Sequence, residues 1–375
     1  MLINFFMPTR IIMLEECVQK SAELLKSYGK KALIITGANS AKLCGALQDV
    51  TLALQSQGIE FDIYDRIRSN PTIASVYEGA EFAKEKGAEF IIGIGGGSPM
   101  DAAKAIALLA VKEIKEEELF LGSYGSMALP IVLIPTTAGT GSEVTPYSIL
   151  TNDAKQTKTS IASPLIFPKI AFLDARYTKS LPITTTVNTA LDALSHSIEG
   201  ILSVRASYVT NSLAVESISR ITDCLGSLSH GLSMDTNKLS LDVREKLLFA
   251  STLAGVVIAH TGTTAVHAMG YCLTYFKNID HGRANGLILP SFLRFIAKQD
   301  MEAAKKVLTA AGVSSLDEFE AIFLRLLGDR EKITMKELER YSAIAFQSKN
   351  VTNSKVIPTK EDIENIYARS LPSTT

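Results

Sequence analysis

Along the first half of the chain, short runs of apolar and β-branched residues alternate with stretches whose apolar positions recur at helical spacing. Ala32–Thr36, Phe61–Tyr64, Phe90–Ile94 and Pro130–Ile134 are each bounded by polar, Gly or Pro residues, with room for a helix before the next run. This is the rhythm of βα units, and it predicts a parallel sheet with helices on both faces. Phe172–Asp174 reads as one more short strand, after which strand signals stop. Beyond Leu181-Pro182 the apolar spacing predicts only helices, over about 184–203, 207–228, 240–274 and 286–297 and several more to the end. The expected division is an α/β domain over residues 1–182 and an all-α domain over 183–375.

The 375 residues are 46% hydrophobic and 21% charged, which suits a globular chain long enough for two domains. The 38 basic and 39 acidic residues nearly cancel, so no net positive field draws in nucleic acid or an anionic membrane. No apolar run reaches the roughly 18 residues of a membrane helix, and Pro8 and Arg10 break the opening stretch as a signal peptide, so the cytoplasm is the expected location. Cys17, Cys44, Cys224 and Cys272 are far apart, so neither a disulfide framework nor a zinc ribbon is expected. The mixed-charge run Lys112–Glu118 reads as a solvated helix end or loop.

Two loops carry candidate chemistry. Gly93-Ile94-Gly95-Gly96-Gly97-Ser98-Pro99-Met100-Asp101 follows a strand and opens a helix, where bare backbone can approach a pyrophosphate under a positive helix N-terminus. The spacing is not the common Gly-x-Gly-x-x-Gly. Pro135 to Glu143 also follows a strand and offers the hydroxyls of Thr136, Thr137, Thr140 and Ser142. Two such loops on neighbouring strands would face one crevice, the Rossmann-like arrangement for a dinucleotide.

In the second half, Asp192 and His196 stand four apart on one helical face, within reach of a common divalent ion. Of the five histidines, His260, His267 and His281 share one later stretch, and His230 is left in an apparent loop. His267 is expected on a helix and His281 in a turn, Asp280-His281-Gly282-Arg283, that precedes another helix. Imidazoles joined by a carboxylate, with one position open for a substrate oxygen, are what a catalytic ion requires.

With these motifs in place, the chain resembles the iron-containing, or group III, alcohol dehydrogenases. The likeness runs from Pro8-Thr9-Arg10-Ile11 and Asn70-Pro71-Thr72 through Gly95–Asp101, Pro135–Thr145, Leu173-Asp174, Asp192–His196 and His281-Gly282-Arg283-Ala284-Asn285 to Pro358–Ile363. It implies a dehydroquinate synthase-like architecture, with a dinucleotide-binding domain and a helical metal-binding domain, the active site in the cleft between them, and a homodimer. The metal ligands would be Asp192, His196, His267 and His281, holding Fe²⁺, with Zn²⁺ as the alternative. Gly95, Gly96, Gly97, Ser98, Asp101, Thr136, Thr137, Thr140 and Ser142 would hold the cofactor, and Lys158 would lie near the nicotinamide ribose.

Two departures from the family pattern matter. Many members carry a second histidine four residues after the third ligand, where this chain has Tyr271, a candidate for proton exchange despite its reference pKa near 10. His260, seven residues before His267 and expected on the same helical face roughly 10 Å away, is a second relay candidate. The other departure lies after the first strand. NAD-preferring members place an acid there, whereas Gly37, Asn39 and Ser40 leave space and donors for a 2′-phosphate, so NADP(H) is expected over NAD(H). The activity implied is hydride transfer between the nicotinamide and a small, uncharged primary alcohol or diol and its aldehyde. Glycerol dehydrogenase-like, metal-free maleylacetate reductase-like and non-catalytic nucleotide-binding readings are the alternatives.

Overall fold

The computed structural model describes residues 4–122, 124–234 and 238–372. The chain forms two compact units. One is Met7–Leu181; the other begins at Pro182 and takes in the N-terminal segment to Phe6.

The first unit is built on eight strands: β1 (Arg10–Met13), β2 (Lys31–Thr36), β3 (Glu60–Tyr64), β4 (Phe90–Gly95), β5 (Ile131–Pro135), β6 (Tyr147–Asn152), β7 (Thr157–Ala162) and β8 (Ile170–Leu173). Six of them form one sheet in the order β1-β8-β5-β4-β2-β3, every pair parallel. Alternate residues of each central strand enter different cores. Leu33, Ile35, Ile91, Ile131 and Leu133 pack with α2 (Ile73–Lys86) and α3 (Gly97–Leu109), whereas Ile34, Ile92, Ile94, Val132 and Ile134 pack with α1 (Ala46–Ser56). Burial on both faces is why the strands read as unbroken apolar runs rather than alternating ones.

Strand order reverses between β2 and β4, so the carboxyl ends of these two strands flank the topological switch point, where open parallel sheets bind their ligands. Two elements were not anticipated. Edge strand β1 pairs Arg10–Met13 with Ile170–Leu173, and β6 and β7 form an antiparallel hairpin just after the second loop. The hairpin alternates buried and half-buried residues over Tyr147–Asn152, a period-two pattern legible in hindsight.

In the second unit the described residues from Pro182 onward form helices, and no strand longer than an isolated bridge. Those that build the site are α4 (Ile183–Ile201), α5 (Tyr208–Asp223), α6 (Leu241–Thr261), α7 (Ala265–Lys277) and α8 (His281–Gln299). Three boundaries differ from expectation. The helix expected over 207–228 ends at Asp223, and Leu225–Ser233 is a separate helix that includes His230. The stretch expected as one helix over 240–274 breaks at Gly262, whose φ of 65° is left-handed, and α6 and α7 meet at a bend of 111°. The helix expected over 286–297 begins at His281, because Asp280 accepts hydrogen bonds from the Gly282 and Arg283 amides and caps it there. Among the described residues no single helix is long and apolar enough to cross a membrane. None of the four cysteines is in a disulfide.

Candidate metal centre and nucleotide loops

Asp192 and His196 lie one turn apart on α4, whose buried face includes both. Helix α8 crosses α4 at this level because it has no side chain at the crossing. A Cβ on Gly282 would stand 1.9 Å from the Asn188 carbonyl oxygen, and one on Gly286 3.1 Å from Leu191. That close approach places His281 Nε2 3.7 Å from Asp192 Oδ1. From the start of α7, His267 Nε2 comes to 3.8 Å from the same oxygen and 3.0 Å from His196 Nε2, which is itself 3.9 Å from Asp192. Ligand atoms of Asp192, His267 and His281 all lie within 4.8 Å of one another. The structure thus brings together all four residues that the resemblance implied as ligands.

Two residues to which the sequence reading gave no role, Glu199 and Asn285, pack against these four. Glu199, fully buried on α4, accepts hydrogen bonds from Thr264 N and Oγ1, both at 2.7 Å, from His267 N at 3.3 Å, and from His267 Nδ1. Burial by itself would raise this carboxyl; the His267 imidazole and the Thr264 donors outweigh it and hold Glu199 below its ordinary value. With Nδ1–H donated to Glu199, the lone pair of His267 is at Nε2, facing the other ligand atoms. Asn285, one turn after His281, directs Nδ2 to Asp192 Oδ1 at 3.0 Å and to within 3.2 and 3.3 Å of the Nε2 atoms of His267 and His281, while its Oδ1 is buried without a partner. A partial positive charge therefore already stands where the ligand atoms converge. One carboxylate oxygen and three imidazole nitrogens, largely shielded from water, are a donor set that fits a borderline divalent cation such as Fe²⁺ or Zn²⁺. Glu199 had a legible signal, since Asp192, His196 and Glu199 fall at i, i+4 and i+7 on one face.

The Tyr271 ring stacks on His281, centroids 5.3 Å apart, and meets His267 edge-on at 5.9 Å. His260 is elsewhere. The bend between α6 and α7 removes it from the helical face of His267, contrary to expectation. Its Nδ1–H is positioned to donate to the Val256 carbonyl at 2.8 Å, its Nε2 accepts the Phe6 amide at 3.1 Å, and its ring stacks on Phe5 at 4.2 Å. Arg283 is also committed: its guanidinium bonds both carboxylate oxygens of Glu331 and the carbonyls of Leu327 and Asp329.

In the first unit, the two loops after β4 and β5 lie against each other. Thr136 donates its amide to the Gly95 carbonyl at 2.9 Å. A Cβ on Gly96 would stand 3.2 Å from the Thr137 methyl, and one on Gly97 2.8 Å from the Thr140 methyl. The Thr137 and Thr140 side chains thus occupy the space where a Cβ would stand, so the bare backbone of the glycine loop packs directly against the second loop at the start of α3. Ser98 Oγ accepts the Asn70 amide at 3.1 Å. Asp101 and Ser142, expected to hold the cofactor, are bonded to each other at 2.6 Å, and Asp101 also accepts the Ile149 amide at 3.2 Å. Beneath them is Lys104, fully buried and missed by the sequence reading, whose Nζ donates to Ser142 Oγ (2.8 Å), Thr145 Oγ1 (3.0 Å) and the Tyr147 carbonyl (2.8 Å). Burial lowers the Lys104 ammonium to about 8 against the opposing pull of Asp101 and Glu143. This network ties α3, the second loop and the hairpin into one piece. Lys158, half-buried on β7, exerts its charge on Asp101, whose carboxyl burial pushes up and Lys104 pulls down. At the end of β2, Gly37 is buried and Asn39 and Ser40 are exposed.

Family models describing an iron-containing alcohol dehydrogenase and the C-terminal part of the Fe-containing alcohol dehydrogenase family match residues 8–175 and 186–371. A lactaldehyde reductase of Escherichia coli (strain K12) is 33% identical over 307 residues, covering 78% of each chain. The crystal structure of an iron-containing alcohol dehydrogenase superposes with a TM-score of 0.91 at 38% identity over 99% of both chains. Another, from Thermotoga maritima, gives a TM-score of 0.90 at 38% identity over 98% of this chain and 99% of that one.

Proposed function

The chain belongs to the iron-containing alcohol dehydrogenase family, and from that premise we propose that it transfers a hydride reversibly between NADP(H) and a small, uncharged primary alcohol or diol and its aldehyde. The observation that carries this reading is the convergence of Asp192, His196, His267 and His281 on one focus. A bound Fe²⁺ or Zn²⁺ supplies Lewis acidity toward the substrate oxygen, and the bound nicotinamide supplies or takes up the hydride.

The chain's own residues do the positioning. Glu199 sets the tautomer of His267, and Asn285 Nδ2 steadies Asp192 through its hydrogen bond to Oδ1. The paired loops present backbone amides and the Thr137 and Thr140 side chains to the cofactor phosphates, and Lys104 holds those loops in register through Ser142 and Thr145. Tyr271, against His281 and His267, takes the proton-exchange part; His260, bonded at both ring nitrogens to Val256 and Phe6, does not. An uncharged substrate is supported by Arg283, the cation beside a ligand, whose donors are already satisfied by Glu331, Leu327 and Asp329. The absence of an acid at Gly37–Ser40 supports NADP(H). Cytoplasmic residence and a homodimer belong to the same reading.

The test is NADPH oxidation with a panel of short aldehydes, using protein stripped of metal and reloaded anaerobically with Fe²⁺ or Zn²⁺. Turnover restored by one of the ions is the expected result. Silence with both, alongside demonstrated NADPH binding, would favour the non-catalytic alternative.

A further inference from the structure

The segment leaving β3 crosses the switch-point crevice. Ile67 donates its amide to the Thr36 carbonyl at 3.3 Å, and its own carbonyl oxygen stands 3.2 Å from where a Cβ on Gly37 would be. Three residues later the Asn70 amide reaches Ser98 Oγ on the glycine loop. Residues 67–70 therefore run from the carboxyl end of β2 to the loop after β4, along the line a dinucleotide follows across such a sheet.

Charges on this rim are accounted for, with one exception. Lys42 pairs with Asp65 at 2.8 Å, and Arg66 pairs with Glu78 at 2.8 Å while lying over the Tyr64 ring. The Asp65 carboxylate, the acid closest in sequence to the segment, is held below its ordinary value chiefly by the Lys42 hydrogen bond, so its charge is already answered. Arg68 is exposed and, among the described residues, has neither a hydrogen bond nor an ion pair. It stands one residue beyond the Ile67 contact with Thr36 and Gly37, on the rim that also exposes Asn39 and Ser40.

We propose that Arg68, together with Asn39 and Ser40, clasps a phosphomonoester on the 2′ position of the adenosine ribose and is the specificity-determining residue for NADP(H). The inference rests on the NADP(H) reading above and names the side chain that enforces it. A guanidinium offers a planar fork that matches phosphate oxygens, and a phosphomonoester near pH 7 carries about −1.5 to −2 charges. Loss of even one charge-assisted hydrogen bond of the fork corresponds to roughly a tenfold to hundredfold weaker complex.

The experiment is calorimetric titration of adenosine 2′,5′-bisphosphate and of 5′-AMP into the wild-type protein, Arg68→Ala and Arg68→Lys, with NADPH and NADH fluorescence titrations in parallel. The proposal expects Arg68→Ala to lose tenfold or more for the bisphosphate and NADPH, to stay within twofold for 5′-AMP and NADH, and Arg68→Lys to lose less. A wild type that prefers the 2′-phosphorylated ligands while Arg68→Ala is unchanged, or loses equally for both pairs, overturns the clasp alone. A wild type that binds NADH as well as NADPH overturns the NADP(H) reading, and the clasp with it.

Discussion

His267 donates Nδ1–H to the Glu199 carboxylate, two side chains 68 positions apart in sequence and both buried, so the nitrogen left to face Asp192 and His196 is the one with a lone pair. Glu199→Gln keeps the shape but not the charge and should weaken metal retention by roughly 10–100-fold. Chelator competition on the purified protein reads the affinity directly, and the melting temperature of metal-free protein serves as the control. An affinity within twofold of wild type would remove Glu199 from the metal centre.

His281→Ala should abolish turnover while NADPH binding stays within about threefold of wild type, because the nucleotide loops are built in the other unit around β4 and β5. Retained turnover would contradict the ligand assignment.

Gly97→Ala places a methyl 2.8 Å from the Thr140 Cγ2, and overpacking of this kind costs about 1–3 kcal/mol. Weaker NADPH binding with unchanged metal content is expected. The double variant Gly97→Ala/Thr140→Ser deletes that methyl and should recover part of the loss. If the double variant is no better, the loops do not depend on this contact.

Lys104 is lowered by burial from 10.5 to about 8. Between those two values the unfolded chain holds a proton that the folded chain lacks, so this group makes stability rise with pH across that window, while below about pH 8 both states are protonated and the burial penalty is complete. The urea midpoint of the wild type relative to that of Lys104→Met should therefore stay level from pH 7 to about 8 and rise progressively from there to pH 10. A pH-independent difference would refute the lowered value.

Most of the α/β unit was legible because its information is local. Buried parallel strands announce themselves as unbroken apolar runs, as in Ala32–Thr36 and Phe90–Ile94, and glycine clusters after them mark where backbone must approach a ligand. The Asp192–His196 pair was legible for the same reason, since helical spacing fixes which residues share a face. The hairpin of β6 and β7 escaped because its alternation is short and half-polar, and β1 because a four-residue edge strand has almost no pattern of its own.

What only the tertiary structure decided are contacts between residues distant in sequence. The sequence alone established the βα rhythm, the two loops, the helical second half and the residue types of a metal centre. It could not show that Gly282 lets α8 approach the Asn188 carbonyl closely enough to carry His281 to Asp192, or that Glu199 reaches across to His267. Nor could it show that a left-handed Gly262 turns His260 away toward Phe5 and Phe6. Periodicity states which face of an element is buried, but the partner on that face is chosen by packing between elements, where steric fit and the need to satisfy buried charges act across the whole chain.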